Sequence, residues 1–215
     1  MLLLILVAAH TGNIAAEEEV KPTAYTSPDR RFSIVIYVPN GSEHAKLMIV
    51  DRASGKMISD LGTDDASIIS QTVPVWSPDS TRLAYRSAGE REWHTNVFFW
   101  NGSAFRNVPL PEELPSPEIK LHPGDEGGGV KNYGGGVHPV RWRKSGDLEL
   151  VSEETQIARE SGRTYTASIT IVISFDAQHR ASVKRISRPT TQIDGVPPVP
   201  RRPKFQERMR VRSGG

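Results

Sequence analysis

TVPVWSPDSTRLAYRS, residues 72–87, predicts a strand, a tight turn and a second strand. The residues before the turn are β-branched or aromatic and end at Trp76, and such residues fit a pleated, half-buried surface. Residues 77–80 read Ser-Pro-Asp-Ser, in which the proline sets φ for the turn and the Ser and Asp side chains can bond nearby backbone. Leu83 and Tyr85 then alternate with Arg82, Ala84 and Arg86. This period of two predicts a half-buried strand that closes a β-hairpin.

The same pattern recurs on either side of this stretch. Residues 25–38, YTSPDRRFSIVIYV, repeat Ser-Pro-Asp before a strand, and residues 137–153 repeat a tryptophan, Trp142, before a Ser-Gly-Asp turn. Each copy is followed by a second predicted hairpin, with turns at residues 51–55, at Asn101-Gly102 and at residues 176–178. Three units of four strands therefore cover residues 21–187, at about 21–62, 67–110 and 137–187.

Trp76, the Ser-Pro-Asp turn and the strand RLAYRS together resemble the WD40-like repeat of TolB-type β-propellers. The segment IVDRASGKMI, residues 49–58, is similar to the hairpin of the third and fourth strands of such blades. In the first copy Thr26 stands where the repeat has tryptophan. The resemblance implies four-stranded blades that pack face to face and serve as interaction platforms. It implies no catalytic residues.

The predicted fold class is all-β, with three four-stranded antiparallel repeats in a propeller-like arrangement or an incomplete propeller. Closed propellers have about four to eight blades, so three units leave two blade faces unprotected. Several chains could complete a ring, the three sheets could close by themselves, or the chain could be a piece of a longer one. An ordinary antiparallel β protein, whose turns share Ser, Pro and Asp for chemical reasons, is the other alternative.

Composition excludes several classes of function. The chain has 215 residues, a formal net charge of +2 and no cysteine. A nearly neutral chain has no global field that favours nucleic acid or membrane binding. Without cysteine there can be no disulfide framework and no thiol nucleophile. These observations fit one modest β domain.

The N-terminus predicts export. The apolar run from residue 2 to residue 9 is far shorter than the roughly 20 residues that span a bilayer, so it predicts no transmembrane segment. It has the length of a signal-peptide core and is followed by Ala15 and Ala16. We therefore expect a signal peptide at residues 1–16, a mature chain that begins near Glu17, and a periplasmic or secreted location. A buried first strand and a misplaced start codon are the alternatives.

Two segments interrupt the repeats. A Gly- and Pro-rich insertion covers residues 109–139, and a Pro- and Arg-rich segment covers residues 188–215, where the composition predicts a disordered tail. A long connection within a compact domain is often functional. The insertion is therefore the predicted contact surface, with Asp125, Lys131 and Tyr133 as candidate binding residues. The expected partner is a protein or a glycan of the cell envelope, and self-association is an alternative use of exposed strand edges.

Residues that carry chemistry are few. Glu90, Glu92 and His94 alternate, so an extended chain would project all three to one side as weak candidates for metal ligands. The stretch GGGVKNYGGG lacks the Gly-Lys-Ser/Thr signature of a phosphate loop. The sequence thus predicts no catalytic residue and no cofactor. It favours a binding or assembly module, with a carbohydrate-active or metal-dependent hydrolase of the envelope as the alternative.

Overall fold

The structure is a computed structural model that describes residues 25–38, 42–65, 73–89 and 91–194. These ranges contain twelve strands and no α-helix, which confirms the all-β class. The expected signal peptide at residues 1–16, the cleavage near Glu17 and the tail beyond Asp194 lie outside the described residues.

The strands follow one another with short connections, except between the seventh and the eighth. In chain order they are β1 (Phe32–Tyr37), β2 (His44–Asp51), β3 (Met57–Asp65), β4 (Pro74–Trp76), β5 (Arg82–Ala88), β6 (Glu92–Trp100), β7 (Phe105–Asn107), β8 (Val130–Trp142), β9 (Leu148–Ala158), β10 (Thr164–Phe175), β11 (Ala181–Ile186) and β12 (Thr190–Asp194).

The described strands form two sheets that do not close. One sheet has three strands in the order β1-β2-β3. The other has nine, with the path β11-β10-β9-β8-β6-β5-β4, and with β7 on β6 and β12 on β10. Every pairing is antiparallel except that of β6 with β8, where Glu92 and Trp93 lie beside Gly135 and Gly136.

The predicted organisation in three separate four-stranded repeats is not confirmed. The second and third predicted repeats share one sheet, because the short parallel pairing of β6 with β8 joins them. The first unit has three strands and a single bridge between Thr26 and Ser33.

The Ser-Pro-Asp turn, on which the prediction of repeats rests, has the same hydrogen bonds in both of its copies. The Ser77 hydroxyl donates to Asp79, the Arg82 amide donates to Ser77 Oγ at 2.9 Å, and the Ser80 amide donates to the Ser77 carbonyl. Residues 27–32 make the same three bonds. Ser80 has a φ of 60° and Arg30 a φ of 62°, the left-handed conformation that closes both turns. The third turn reaches it with Gly146, where glycine carries no steric cost.

Two hydrophobic clusters hold the units together. One lies between the sheet β1–β3 and strands β5–β7, and the other between strands β4–β6 and strands β8–β11. Neighbouring residues of β5 and β6 alternate between the clusters, as Leu83 and Ala84 do. The prediction of a half-buried strand at residues 82–87 was therefore wrong. Both faces are covered, because a neighbouring unit packs on each side, and the runs RLAY and VFFW are apolar for that reason.

The two tryptophans of the repeat sit at these contacts. Trp142 is 6% exposed and donates from Nε1 to the Val75 carbonyl at 3.0 Å. Trp76 is half-buried, with its ring centroid 6.4 Å from that of Phe32 and 5.6 Å from that of Phe105. Burial between units is thus confirmed for Trp142 and partial for Trp76.

The two irregular segments contain more strand than their composition predicts. The last third of the insertion is part of β8, which pairs with β9 from Val130 beside Ala158 to Trp142 beside Leu148. In the tail, Thr190–Asp194 forms β12 on the free edge of Thr164–Ser168, since β11 pairs only with the other end of β10. For residues 190–194 the prediction of disorder is therefore corrected.

Candidate functional site

A cleft lies where the start of β6 meets the first half of β8. Its volume is about 460 Å³. The lining combines carboxylates, one guanidinium, one imidazole, hydroxyl and amide groups and two aromatic rings around a glycine floor. The lining residues are Arg91, Glu92, Trp93, His94, Ser116, Asn132, Tyr133, Gly134, Gly135, Gly136, Val137, Ser152, Glu153 and Glu154.

The glycine floor follows from close approach of backbone. A Cβ atom on Gly134 would overlap the Arg91 carbonyl, and one on Gly136 would overlap the Trp93 carbonyl. A Cβ atom on Gly135 would lie 2.5 Å from the Glu153 carbonyl oxygen on the other side. The second glycine triplet is therefore part of a strand that is squeezed between β6 and β9. It is not a loop that could wrap around a phosphate.

Tyr133 is presented to the cleft by a β-bulge. The register of β8 with β9 shifts between Asn132, which faces Gln156, and Gly134, which faces Thr155, so Tyr133 is the extra residue. Its side chain is 59% exposed. Bulges redirect a side chain at sheet edges and beside active sites. An aromatic ring held out at the mouth of a cleft is available for a ligand to stack on.

The cleft carries negative charge. Its lining residues include three carboxylates, Glu92, Glu153 and Glu154, and one guanidinium, that of Arg91, so these four residues sum to a formal charge of −2. Such a surface favours neutral or cationic ligands that donate hydrogen bonds, and disfavours anionic ones.

Behind one side of the cleft, an aromatic ring and a guanidinium group stack on each other. The Arg86 guanidinium stacks 4.6 Å above the Trp93 ring, and the buried Trp93 indole N–H has no hydrogen-bond partner among the described residues. His138, half-buried on β8, has a buried Nδ1 that likewise finds no partner in the described part of the chain. Burial lowers the pKa of His138, the nearby Glu153 raises it and Arg86 lowers it further. The net direction is down, so the imidazole is held in the neutral form.

The structure brings together candidates that the sequence analysis treated separately. Glu92 and His94, the weak metal candidates, lie in the same cleft as Tyr133, the binding candidate. Lys131 is exposed on the preceding part of β8 and does not line the cleft. Glu90 lies outside the described residues.

Asp125 is placed elsewhere and is buried. Its carboxylate accepts a short hydrogen bond from the Tyr165 hydroxyl and pairs with Arg163 at 3.2 Å, and its residue is 3% exposed. The Tyr165 hydroxyl, together with the side chains of Ser161 and Arg163 and the Arg163 charge, lowers the pKa of Asp125 below its usual value, although burial acts in the opposite direction. Asp125 therefore fastens the insertion to β10, and its carboxylate is not exposed for a partner.

Most of the cleft was not predicted from the sequence. Ser152, Glu153 and Glu154 come from β9, and Ser116 comes from the insertion. Nothing in the local pattern marks these residues, because their proximity depends on the parallel pairing of β6 with β8. One indirect signal was present: β9 and β10 have 11 and 12 residues, and the edge of a long strand is commonly paired or covered.

Among the described residues, no group of three or more His, Asp or Glu side chains is arranged to hold a metal ion. The described part of the chain also holds no helix that is long and apolar enough to cross a membrane.

No protein-family model and no curated protein matches the chain. Among solved structures, the chain is similar to the crystal structure of TolB from Acinetobacter baumannii, at 9% sequence identity and a TM-score of 0.30. The match covers 74% of this chain and 41% of that chain, so this chain spans less than half of the TolB length. A likeness of this degree bears on neither activity nor partners.

Proposed function

We propose that the protein is an exported, β-propeller-like binding module without a catalytic role, and that it takes its ligand in the cleft between β6 and β8. The observation that carries the proposal is Tyr133, an exposed aromatic residue that a β-bulge presents over a polar cleft of about 460 Å³. Ligand sites commonly combine a concave surface, an aromatic ring and a few convergent polar groups.

The ligand class follows from the charge of the cleft. Carboxylates and side-chain amide or hydroxyl groups bind the hydroxyls of a glycan, and a tyrosine ring stacks on the apolar face of a sugar. A cationic peptide would meet the same carboxylates. We therefore propose a glycan of the cell envelope as the ligand, with a basic protein segment as the other partner that fits.

Export and the propeller-like repeat rest on the sequence. The apolar run and the small residues before Glu17 support a signal peptide. The shared turns, and the packing of Trp76 and Trp142 each against a phenylalanine of the preceding unit, support repeats of the WD40-like, TolB-type kind. The mass of the protein in the envelope fraction of its host tests export, since a retained Met1 would contradict it.

A binding panel tests the cleft. Isothermal titration with neutral and amino-sugar oligosaccharides, Lys-rich peptides and Glu-rich peptides should give binding to a member of the first three groups and none to the last. Tyr133→Ala should weaken that binding at least about tenfold, as expected for a central aromatic contact. Tyr37→Ala is the matched control, because Tyr37 is also exposed, at 48%, but lies on another sheet.

Either of two results would contradict the proposal: binding that survives Tyr133→Ala unchanged, or preference for the Glu-rich peptide. The hydrolase alternative has its own test. Release of product from the bound oligosaccharide, with or without added divalent metal, would show that the protein is an enzyme rather than a binding module.

A further inference from the structure

The two ends of the molecule differ in the chemistry of their outer faces. On β10, the residues that point away from the core are Thr164, Thr166, Ser168 and Thr170, so this end is polar. A polar outer face is what a terminal unit needs to stay soluble. Among the described residues, the sheet β1–β3 lies at the other end, and its outer face is largely apolar.

Cross-strand register places nine residues of the sheet β1–β3 on its outer face, because directly paired residues share a face. They form three rows of three, one residue from each strand. The rows are Ser33, Val50 and Met57; Val35, Met48 and Asp60; and Tyr37, Lys46 and Thr63. We call these nine residues the outer array.

Five of the nine side chains are apolar, and Met57 and Tyr37 are 53% and 48% exposed. An exposed apolar face is unusual for a strand with the sequence of β2. Leu47 to Val50 reads Leu-Met-Ile-Val, an unbroken apolar run, which is typical of a strand that is covered on both faces. In the described structure only the face with Leu47 and Ile49 is covered. The outer array therefore has the composition of an interface.

The outer array is self-complementary about one diagonal. A two-fold axis that lies in the interface, passes through Met48 at about 45° to the strands and runs from the Ser33 corner towards the Thr63 corner places Met48 on Met48 of the second copy. The same axis places Tyr37 on Met57. Neighbouring strands are about 4.8 Å apart and alternate residues about 6.7 Å, so the superposed positions differ by only about 2–3 Å, within the reach of side chains.

The charged residues follow the same symmetry. Lys46 and Asp60 are the only charged members of the outer array, and they occupy positions that the diagonal exchanges. In a dimer with the diagonal axis, each Lys46 would face an Asp60 of the other copy, which gives two ion pairs. In a dimer with an axis along β2, Lys46 would instead lie opposite Lys46. The diagonal axis makes the strands of the two copies cross at about 90°, one of the two standard packings of sheets.

We infer that a second copy of this chain docks on the outer array, in a symmetric dimer with Lys46 of each copy paired to Asp60 of the other. The array measures roughly 10 by 13 Å between Cα positions, which is small beside the roughly 1,000 Å² that a stable interface buries. The dimer is consequently weak, with a dissociation constant of about 10 µM to 1 mM.

Sedimentation equilibrium on the purified protein at several concentrations tests the dimer. The wild type should show reversible dimerisation in that range. Lys46→Glu and Asp60→Lys should each weaken it at least about tenfold, because each sets two like charges against each other. The double variant, with both substitutions in one chain, should recover dimerisation, because the pairs form again with reversed polarity.

Thr166→Lys, on the polar face of β10, is the matched control and should leave dimerisation unchanged. All these positions are at least partly exposed, so the variants should fold, and their near-ultraviolet spectra check this. Three results would overturn the inference: a wild type that is monomeric throughout, single variants that dimerise like the wild type, or a double variant that stays monomeric.

Discussion

Trp142 joins the second and third units through both packing and a hydrogen bond. Its ring centroid lies 5.8 Å from that of Phe99 and 5.8 Å from that of Phe175, and its indole N–H bonds to the Val75 carbonyl. Trp142→Ala should therefore lower the free energy of unfolding by about 3–5 kcal/mol, as large aromatic deletions do.

Urea denaturation measures this loss. Trp142→Phe should cost less, because most of the packing remains and only the hydrogen bond is removed. Val140→Ala is the control: Val140 is 43% exposed on the same strand, and its loss should stay within about 0.5 kcal/mol. A loss at Trp142 as small as that at Val140 would contradict the contact between the units.

His138 gives the stability a dependence on pH near neutrality. Burial lowers its folded pKa below the unfolded value of about 6.5. Between the two pKa values the unfolded chain binds more protons than the folded chain, so stability rises with pH there and is lost as the pH falls below about 6.5. The carboxylates with lowered pKa, such as Asp79 and Asp147, affect stability in a different pH range. Their contribution to stability is present above about pH 4 and is lost as the pH falls below that value.

Denaturation midpoints at pH 5.5 and pH 7.5 therefore test His138. The wild type should be less stable at pH 5.5, and His138→Gln should reduce the difference. The exposed His44, changed to Gln, should leave it as it is. An equal pH dependence in all three proteins would show that His138 is not the responsible group.

At the scale of single elements, the turns were predictable, but the strand at residues 130–136 was not. The Ser-Pro-Asp stretches at residues 27–29 and 77–79 form turns through local hydrogen bonds, so these turns can be predicted from their own residues. The strand at residues 130–136 has no such local signal. Its glycines suggest a loop, and only the approach of β6 and β9 shows that they are there because no side chain fits.

Gly136→Ala tests that explanation. The added methyl would overlap the Trp93 carbonyl, so β6 and β8 must separate, at a cost of about 3 kcal/mol. Gly127→Ala is the matched control from the first glycine triplet, since no atom lies within 4 Å of the position of its Cβ. Thermal unfolding compares the two. If Gly136→Ala were as stable as Gly127→Ala, the close parallel pairing would be wrong.

At the scale of the whole molecule, the sequence predicts the class of fold but not the way its parts are joined. Alternation and turn residues are local and predict an all-β chain with these hairpins. The junction of β6 with β8 involves two residue pairs about 40 positions apart in the chain, and no pattern of either strand encodes it. The cleft depends on that junction, which is why Glu92, His94 and Tyr133 were each recognised but not placed together.

The proposed ligand site lies at the junction of β6 and β8, and hydrogen–deuterium exchange can locate a bound ligand there. The free protein is compared with the protein saturated by the oligosaccharide or peptide that binds in the titration panel. Binding at the junction should add protection in residues 91–94, 132–137 and 152–154, and Tyr133→Ala should remove that protection. Protection confined to other strands, or no panel member that binds at all, would rule out a ligand site at this junction.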